Sequence, residues 1–136
     1  MQKSPDAIEN LIKRLAKLPT VGARSARKIA LHLLSDKDMN LAPLEQAIAY
    51  ARETVNKCSV CGNLDVCDPC GVCTDKHKDA SKICVVQSVG DIWAMERTGF
   101  YDGHYHVIGG VLSALDGVTP EKLNIVRVTC RSYGFM

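Results

Sequence analysis

The chain has 136 residues and a mass of 14.8 kDa, with 17 basic residues, 15 acidic ones and a formal net charge of +2. Apolar residues at 46% and charged residues at 24% exclude wholesale disorder. No run approaches the ~18 apolar residues of a membrane helix, and the opening MQKSPDAIENLIKRL lacks the apolar core of a signal peptide, so a soluble cytoplasmic protein is expected.

Charge is concentrated at one end. Residues 1–57 carry ten Lys/Arg against six Asp/Glu, whereas 58–84 and 85–136 each come to −1. Lys13, Arg14, Lys17, Arg24, Arg27 and Lys28 follow one another with no acid between them. The same region reads as helices. Ile8, Leu11, Ile12 and Leu15 recur at helical spacing, and Ala26, Ile29, Ala30 and Leu33 repeat the pattern. Between them lies Leu18-Pro19-Thr20-Val21-Gly22, where proline ends the first helix and Gly22 permits the turn into the second. Leu41, Leu44, Ile48, Ala51 and Val55 mark a third helix with Pro43 in its first turn. A tight hairpin of this kind presents backbone N–H groups at a helix N-terminus and can hold a phosphate without reading a base. Arg24, Arg27 and Lys28 would reinforce that. A solvated basic face would give the same pattern.

Residues 58–78 hold almost no bulky apolar side chains and need another source of order. Five of the seven cysteines fall here. An odd cysteine count without a secretion signal argues against a disulfide framework. Cys58-x2-Cys61 and Cys70-x2-Cys73 are two knuckles that together supply the four thiolates of a closed, structural zinc site. Cys67-x2-Cys70 is also a CxxC pair, so spacing alone leaves the set open. Free or redox-active thiols are the alternative. His77 reads as a solvated loop residue and Cys84 as core.

From Lys82 the pattern changes to strand, helix, strand: Ile83–Val86, Asp91–Glu96 and Tyr105–Ile108, a parallel α/β unit. Thr119-Pro120-Glu121 reads as a helix start. Gln87 follows the first strand where an acid could serve metal-assisted chemistry, and a neutral amide cannot do so. Asp91 suits the helix N-terminus, and His104 and His106 read as surface or strand residues. No catalytic residue is assigned. The one Asp-x-Asp, Asp36-Lys37-Asp38, falls in a loop of the helical region, which argues against a nuclease or primase.

In this order the segments resemble the bacterial recombination-mediator RecR family. Leu18-Pro19-Thr20-Val21-Gly22-Ala23-Arg24-Ser25-Ala26 looks like its helix-hairpin-helix. Cys58-x2-Cys61…Asp68-Pro69-Cys70-x2-Cys73-Thr74-Asp75 looks like its zinc finger. Ile83-Cys84-Val85-Val86 and Gly109-Gly110…Leu112-Ser113-Ala114-Leu115-Asp116-Gly117 look like the start of its Toprim domain. The resemblance implies an α+β multidomain chain: a helical helix-hairpin-helix domain (1–57), a four-cysteine zinc finger (58–78), an incomplete α/β Toprim domain (79–125) and an atypical tail (126–136). It implies one structural zinc on Cys58, Cys61, Cys70 and Cys73, with Cys67 a spare thiol. It implies DNA contacts from Lys17, Gly22, Arg24, Arg27 and Lys28.

The family function so implied is non-enzymatic DNA repair in the bacterial cytoplasm, at the nucleoid. Such proteins form homo-oligomeric clamps on single- or double-stranded DNA without sequence preference. With RecO and RecF they help RecA load at gaps and breaks. Two departures stand out: Thr20 where such hairpins often carry glycine, and Gln87 in place of an acid. Relatives run on beyond this length, and Val126–Met136 resembles an out-of-frame tail. Truncation would leave Val85, Ile92, Val107 and Ile108 short of partners and 82–136 marginally stable. The alternative function is a zinc-stabilised protein-interaction fragment, or a non-functional product.

Overall fold

A computed structural model describes residues 6–110 and 115–125. The chain divides between Glu53 and Thr54 into two compact units. The Leu112–Ala114 segment and the 126–136 tail lie outside the described residues.

The first unit is helical. Helix α1 (Asp6–Leu15) opens with Asp6 and Glu9 and ends with Lys13 and Arg14, charges that complement its dipole. Helix α2 (Ala23–Ser35) buries Ala26, Ala30 and Leu33. Spaced four and three apart, they form one stripe, and two alanines in it permit close helix approach. At the other end of α2, Asn40 Nδ2 donates to the His32 carbonyl at 3.1 Å. Asp36, expected in a loop, instead accepts the Met39 amide at 3.0 Å and starts a single π-helical turn, Lys37–Leu41. Helix α3 (Ala42–Thr54) follows with Pro43 in its first turn. Its expected apolar stripe does not become core. No residue of α3 is buried, Leu44 and Ile48 are exposed, Leu41 sits in the π turn and Val55 lies past the helix end.

The turn between α1 and α2 corrects one expectation. Gly22 has φ −83° and ψ 170°, extended backbone open to any residue, and serves as the N-cap of α2. The left-handed residue is Thr20, at φ +66°. The reversal falls directly after Pro19, at a position where a β-branched side chain is strained by about 1–2 kcal/mol.

The second unit begins with a short antiparallel hairpin, β1 (Asn56–Lys57) with β2 (Leu64–Asp65), which frames the first cysteine knuckle. A one-turn helix α4 (Gly71–Thr74) carries the second. Strand β3 (Asp79–Val86), helix α5 (Val89–Thr98) and strand β4 (Gly103–Val107) then form the expected parallel pair, with Cys84 opposite Tyr105 and Val86 opposite Val107. Helix α5 starts at a capping box, with Ser88 N and Oγ both donating to Asp91 Oδ2 at 2.8 and 2.9 Å. Asp91 therefore has the role its position suggested. Gly99, left-handed at φ +67°, ends the helix.

The core here is Val86, Ile92, Tyr105 and Val107, with Val72 and Cys84 packed against it. Ile92 and Val107 are thus not short of partners: they cluster with Val86 and Tyr105, and Val72 packs against the same cluster. Val85 does remain 48% exposed. His104 and His106 both lie on β4, the strand half of the expectation; His106 is fully buried, and its Nε2 lies 2.8 Å from the Asn124 carbonyl, so Nε2 carries the proton. Lys78 Nζ reaches Glu96, whose Oε1 also accepts the Tyr105 hydroxyl at 2.6 Å. The same ammonium lies 5.3 Å from the Tyr105 ring centroid. After Pro120 the expected helix is only the three-residue 3-10 turn Pro120–Lys122, which ends as Leu123 turns extended.

Candidate metal centre and nucleic-acid face

Each knuckle is built by backbone hydrogen bonds that aim two sulfurs inward. In the first, Gly62 N–H donates to the Cys58 carbonyl at 3.0 Å, and Cys58 N–H donates to the Asn63 carbonyl at 2.7 Å. Gly62 sits at φ +84°, a left-handed backbone that favours glycine, and a Cβ there would crowd Val107 Cβ at 3.2 Å. In the second, Cys73 N–H donates to the Cys70 carbonyl at 3.0 Å. Two aspartates tie the intervening loop down. Asp68 accepts the Ser59 amide and hydroxyl, each at 2.8 Å, and Asp65 accepts the Gly71 amide at 2.8 Å. These bonds hold both carboxyls below their usual range.

Four sulfurs meet as a result. Cys58, Cys61, Cys70 and Cys73 place their sulfurs within 4.8 Å of one another, with Cys61–Cys70 at 3.5 Å and Cys58–Cys73 at 4.0 Å. Sulfurs bound tetrahedrally at about 2.3 Å from zinc would stand about 3.8 Å apart. Amide donors already point at two of them: Asn63 N–H to Cys61 Sγ at 3.4 Å and Cys70 N–H to Cys58 Sγ at 3.3 Å. Protonation is lopsided. The Cys73 hydrogen bond draws Cys61 down to about 5, while the same bond and burial push Cys73 up. Burial also pushes Cys70 up. Crowded together, Cys61, Cys70 and Cys73 oppose one another's ionisation, and a divalent cation resolves that conflict. The donor set fits one zinc and leaves no ligand position for substrate, so the site is structural. Cys67 is exposed and outside the cluster, and His77 lies on the surface against Asp75.

Sequence reasoning identified the four cysteines but missed what supports them. Asn63, Asp65 and Asp68 bear no metal-ligand spacing. The available signals were their position between the two CxxC pairs and, for Asp68, its place in the Asp68-Pro69-Cys70 run of the zinc-finger resemblance.

The basic hairpin is separate chemistry in the other unit. Lys17, Gly22, Arg24, Arg27 and Lys28 are all exposed. Among the described residues no salt bridge engages these four cations. Gly22 gives α2 no side-chain cap, and a Cβ built on it would meet nothing within 4 Å. The N-terminus of α2 thus has no side-chain cap and open space at Gly22, beside exposed cations.

Known families account for most of the chain. Residues 8–52 match the model described as RecR, helix-hairpin-helix; 55–75 match the RecR four-cysteine zinc finger domain; 81–131 match the Toprim domain. A protein named Recombination protein RecR from Maricaulis maris (strain MCS10) is 56% identical over 125 residues, 92% of this chain and 62% of the relative. The protein of the same name from Phenylobacterium zucineum (strain HLK1) is 55% identical over the same shares of the two chains. That from Methylocella silvestris is 55% identical over 118 residues, 87% of this chain and 59% of its own length. The chain thus spans about 60% of the length of these curated relatives, and it belongs to the RecR family.

Proposed function

We propose that this RecR-family chain is a non-enzymatic DNA-binding factor of recombinational repair, in which the α1–α2 hairpin grips phosphate and the cysteine knuckles hold a structural zinc. The observation that carries the reading is the uncapped, unobstructed N-terminus of α2 flanked by exposed Arg24, Arg27 and Lys28. Helix amides and mobile cations bind phosphate regardless of base, so single- and double-stranded DNA are both substrates for this surface. Lys17, which precedes the turn, adds a further cation, and the bare Gly22 lets a phosphate approach the backbone.

Partnership with RecO- and RecF-type proteins, assistance to RecA loading, self-association into a clamp and a place at the bacterial nucleoid belong to this same reading. They rest on the family resemblance. The absence of catalysis is likewise part of it: Gln87 offers no carboxylate, and Asp91 is engaged in the α5 cap.

Titration of a fluorescent oligonucleotide across salt concentrations tests the reading. Affinity should fall steeply with salt and be indifferent to sequence. Arg24→Ala with Lys28→Ala should weaken binding equally on every sequence and flatten the log–log salt slope by about 2, since each lost phosphate contact contributes about 0.9. A double variant that binds like the parent would sink the assignment.

A further inference from the structure

The first knuckle does more than supply two sulfurs. Its Asn63 is only 4% exposed, and its backbone and side-chain polar groups bear on the site or on the α/β layer. The Asn63 amide donates to Cys61 Sγ at 3.4 Å, and its carbonyl accepts from Cys58 N–H at 2.7 Å. Its side-chain Oδ1 accepts the indole N–H of Trp93 on α5 at 3.2 Å. Beside it, the Cys61 carbonyl accepts Val107 N–H at the end of β4 at 2.7 Å, and Gly62 packs on the Val107 side chain. This one knuckle is thus bonded to the helix through the Asn63 side chain and to strand β4 through the Cys61 backbone.

We infer that Asn63 is a positioning residue that couples the metal to the α5–β4 face, so that zinc occupancy sets the seating of Trp93 and Val107 and these in turn tighten zinc binding. The physical reason is direct. Asn63 N–H can meet Cys61 Sγ, and Asn63 O can meet Cys58 N–H, only while the knuckle keeps its closed shape. That closed shape is what brings Oδ1 to the indole and the Cys61 carbonyl to Val107. Linkage makes the effect mutual: whatever zinc does for the Trp93 contact, the contact does for zinc. Groups that orient metal ligands from outside the ligand set typically change affinity about 10–100-fold. This inference rests on a metal in the cysteine site and is independent of the DNA-binding reading.

Trp93 is the single tryptophan of the chain, which makes the coupling readable in the intact protein. The test pairs zinc competition against a chromophoric chelator with tryptophan emission and amide hydrogen exchange. In the parent chain, removing zinc should free the half-exposed Trp93 ring from Asn63, lowering the anisotropy of its emission, and abolish protection at Val107 N–H, and restoring zinc should reverse both. Trp93→Phe, which keeps a ring but removes the donor, should weaken zinc about 10-fold. Asn63→Leu should weaken it similarly, and the two together should cost no more than either alone. Zinc affinity unchanged in Trp93→Phe overturns the inference. So does Val107 protection that survives zinc removal. Should Asn63→Leu fail to fold, the Trp93→Phe affinity and the parent's own exchange pattern still decide it.

Discussion

In the 6–53 unit, burial falls on Ala26, Ala30 and Leu33, while the cations of the hairpin all lie on the surface. In the 54–125 unit, it falls on the sulfurs of Cys58, Cys61 and Cys70, on Val86, Ile92, Tyr105, Val107 and Leu123, and on two polar side chains, Asn63 and His106. On the function proposed above, the contrast follows from what each region would have to hold. A surface that grips a mobile polyanion needs solvated, unpaired charge on a thin scaffold, and two alanines suffice to join its helices. A site that holds an ion must exclude water and arrest its ligands before the ion arrives. It therefore requires hydrogen bonds to each knuckle, from Asp65, Asp68 and Asn63, where an apolar core is lacking.

Metal removal is the strongest way to break this contrast. Structural zinc in small modules contributes about 10–16 kcal/mol, far more than the sparse apolar packing around the knuckles. Stripping zinc with a chelator, or replacing Cys70 by Ser, should unfold the knuckles and loosen the sheet bonded to them. Exchange protection in α1 and α2 should persist, since no cysteine lies in that unit. Hydrogen exchange resolved by peptide reads both units at once. Equal loss of protection in α2 would show that the two units do not stand separately.

The second prediction sharpens the polar side of the contrast. Lys78 is 9% exposed and its ammonium is shared by Glu96 and the Tyr101 carbonyl. Burial pushes Glu96 up, yet the Lys78 and Tyr105 hydrogen bonds outweigh it and hold the carboxyl below its ordinary 4.5. A depressed acid stabilises the fold above its unfolded value and loses that contribution as pH falls through the folded one. Lys78→Met should cost about 2–3 kcal/mol at neutral pH, toward the lower end for a pair that is not wholly buried. The gap between parent and variant should close as the pH drops below 4.5. Both proteins lose zinc alike as their cysteines protonate, so comparing them at the same pH and zinc concentration cancels the acid effect on the metal. A gap that stays constant down to about pH 3 would locate the loss in packing instead.

Much of the contrast is legible in the residues. Periodicity marks α1, α2 and the β3–α5–β4 order because those segments bury one face at a regular spacing. CxxC spacing marks the sulfur site because two adjacent backbone turns dictate it. The misses share a cause. The apolar positions of α3 repeat at helical spacing, but spacing cannot say whether anything covers them, and Leu44 and Ile48 are exposed. The Trp93–Asn63 bond joins residues 30 apart in sequence, a separation no local pattern reports. Gly22 suits a turn by its chemistry, whereas the chain reverses two positions earlier, at Thr20.

That displaced turn supplies the smallest effect and a test of how the basic unit is tuned. Thr20 holds φ +66° with a β-branched side chain, in a turn where the resembling hairpins often carry glycine. Replacing it with glycine removes about 1–2 kcal/mol of strain and adds about 0.5–1 kcal/mol of unfolded-state freedom. The net should be a gain of about 0.5–1 kcal/mol, confined to the helical unit and visible as slower exchange in α1 and α2. Thr20 is exposed, and neither the Gly22 cap nor the flanking cations depend on its side chain. DNA affinity should therefore stay within about twofold, less than about 0.5 kcal/mol. Stabilisation with unchanged affinity would mean that threonine here is a tolerated strain. A variant that gains stability yet loses DNA affinity would mean that the left-handed threonine helps hold the α2 N-terminus in its binding geometry, and that this surface, for all its exposure, is as preorganised as the metal site.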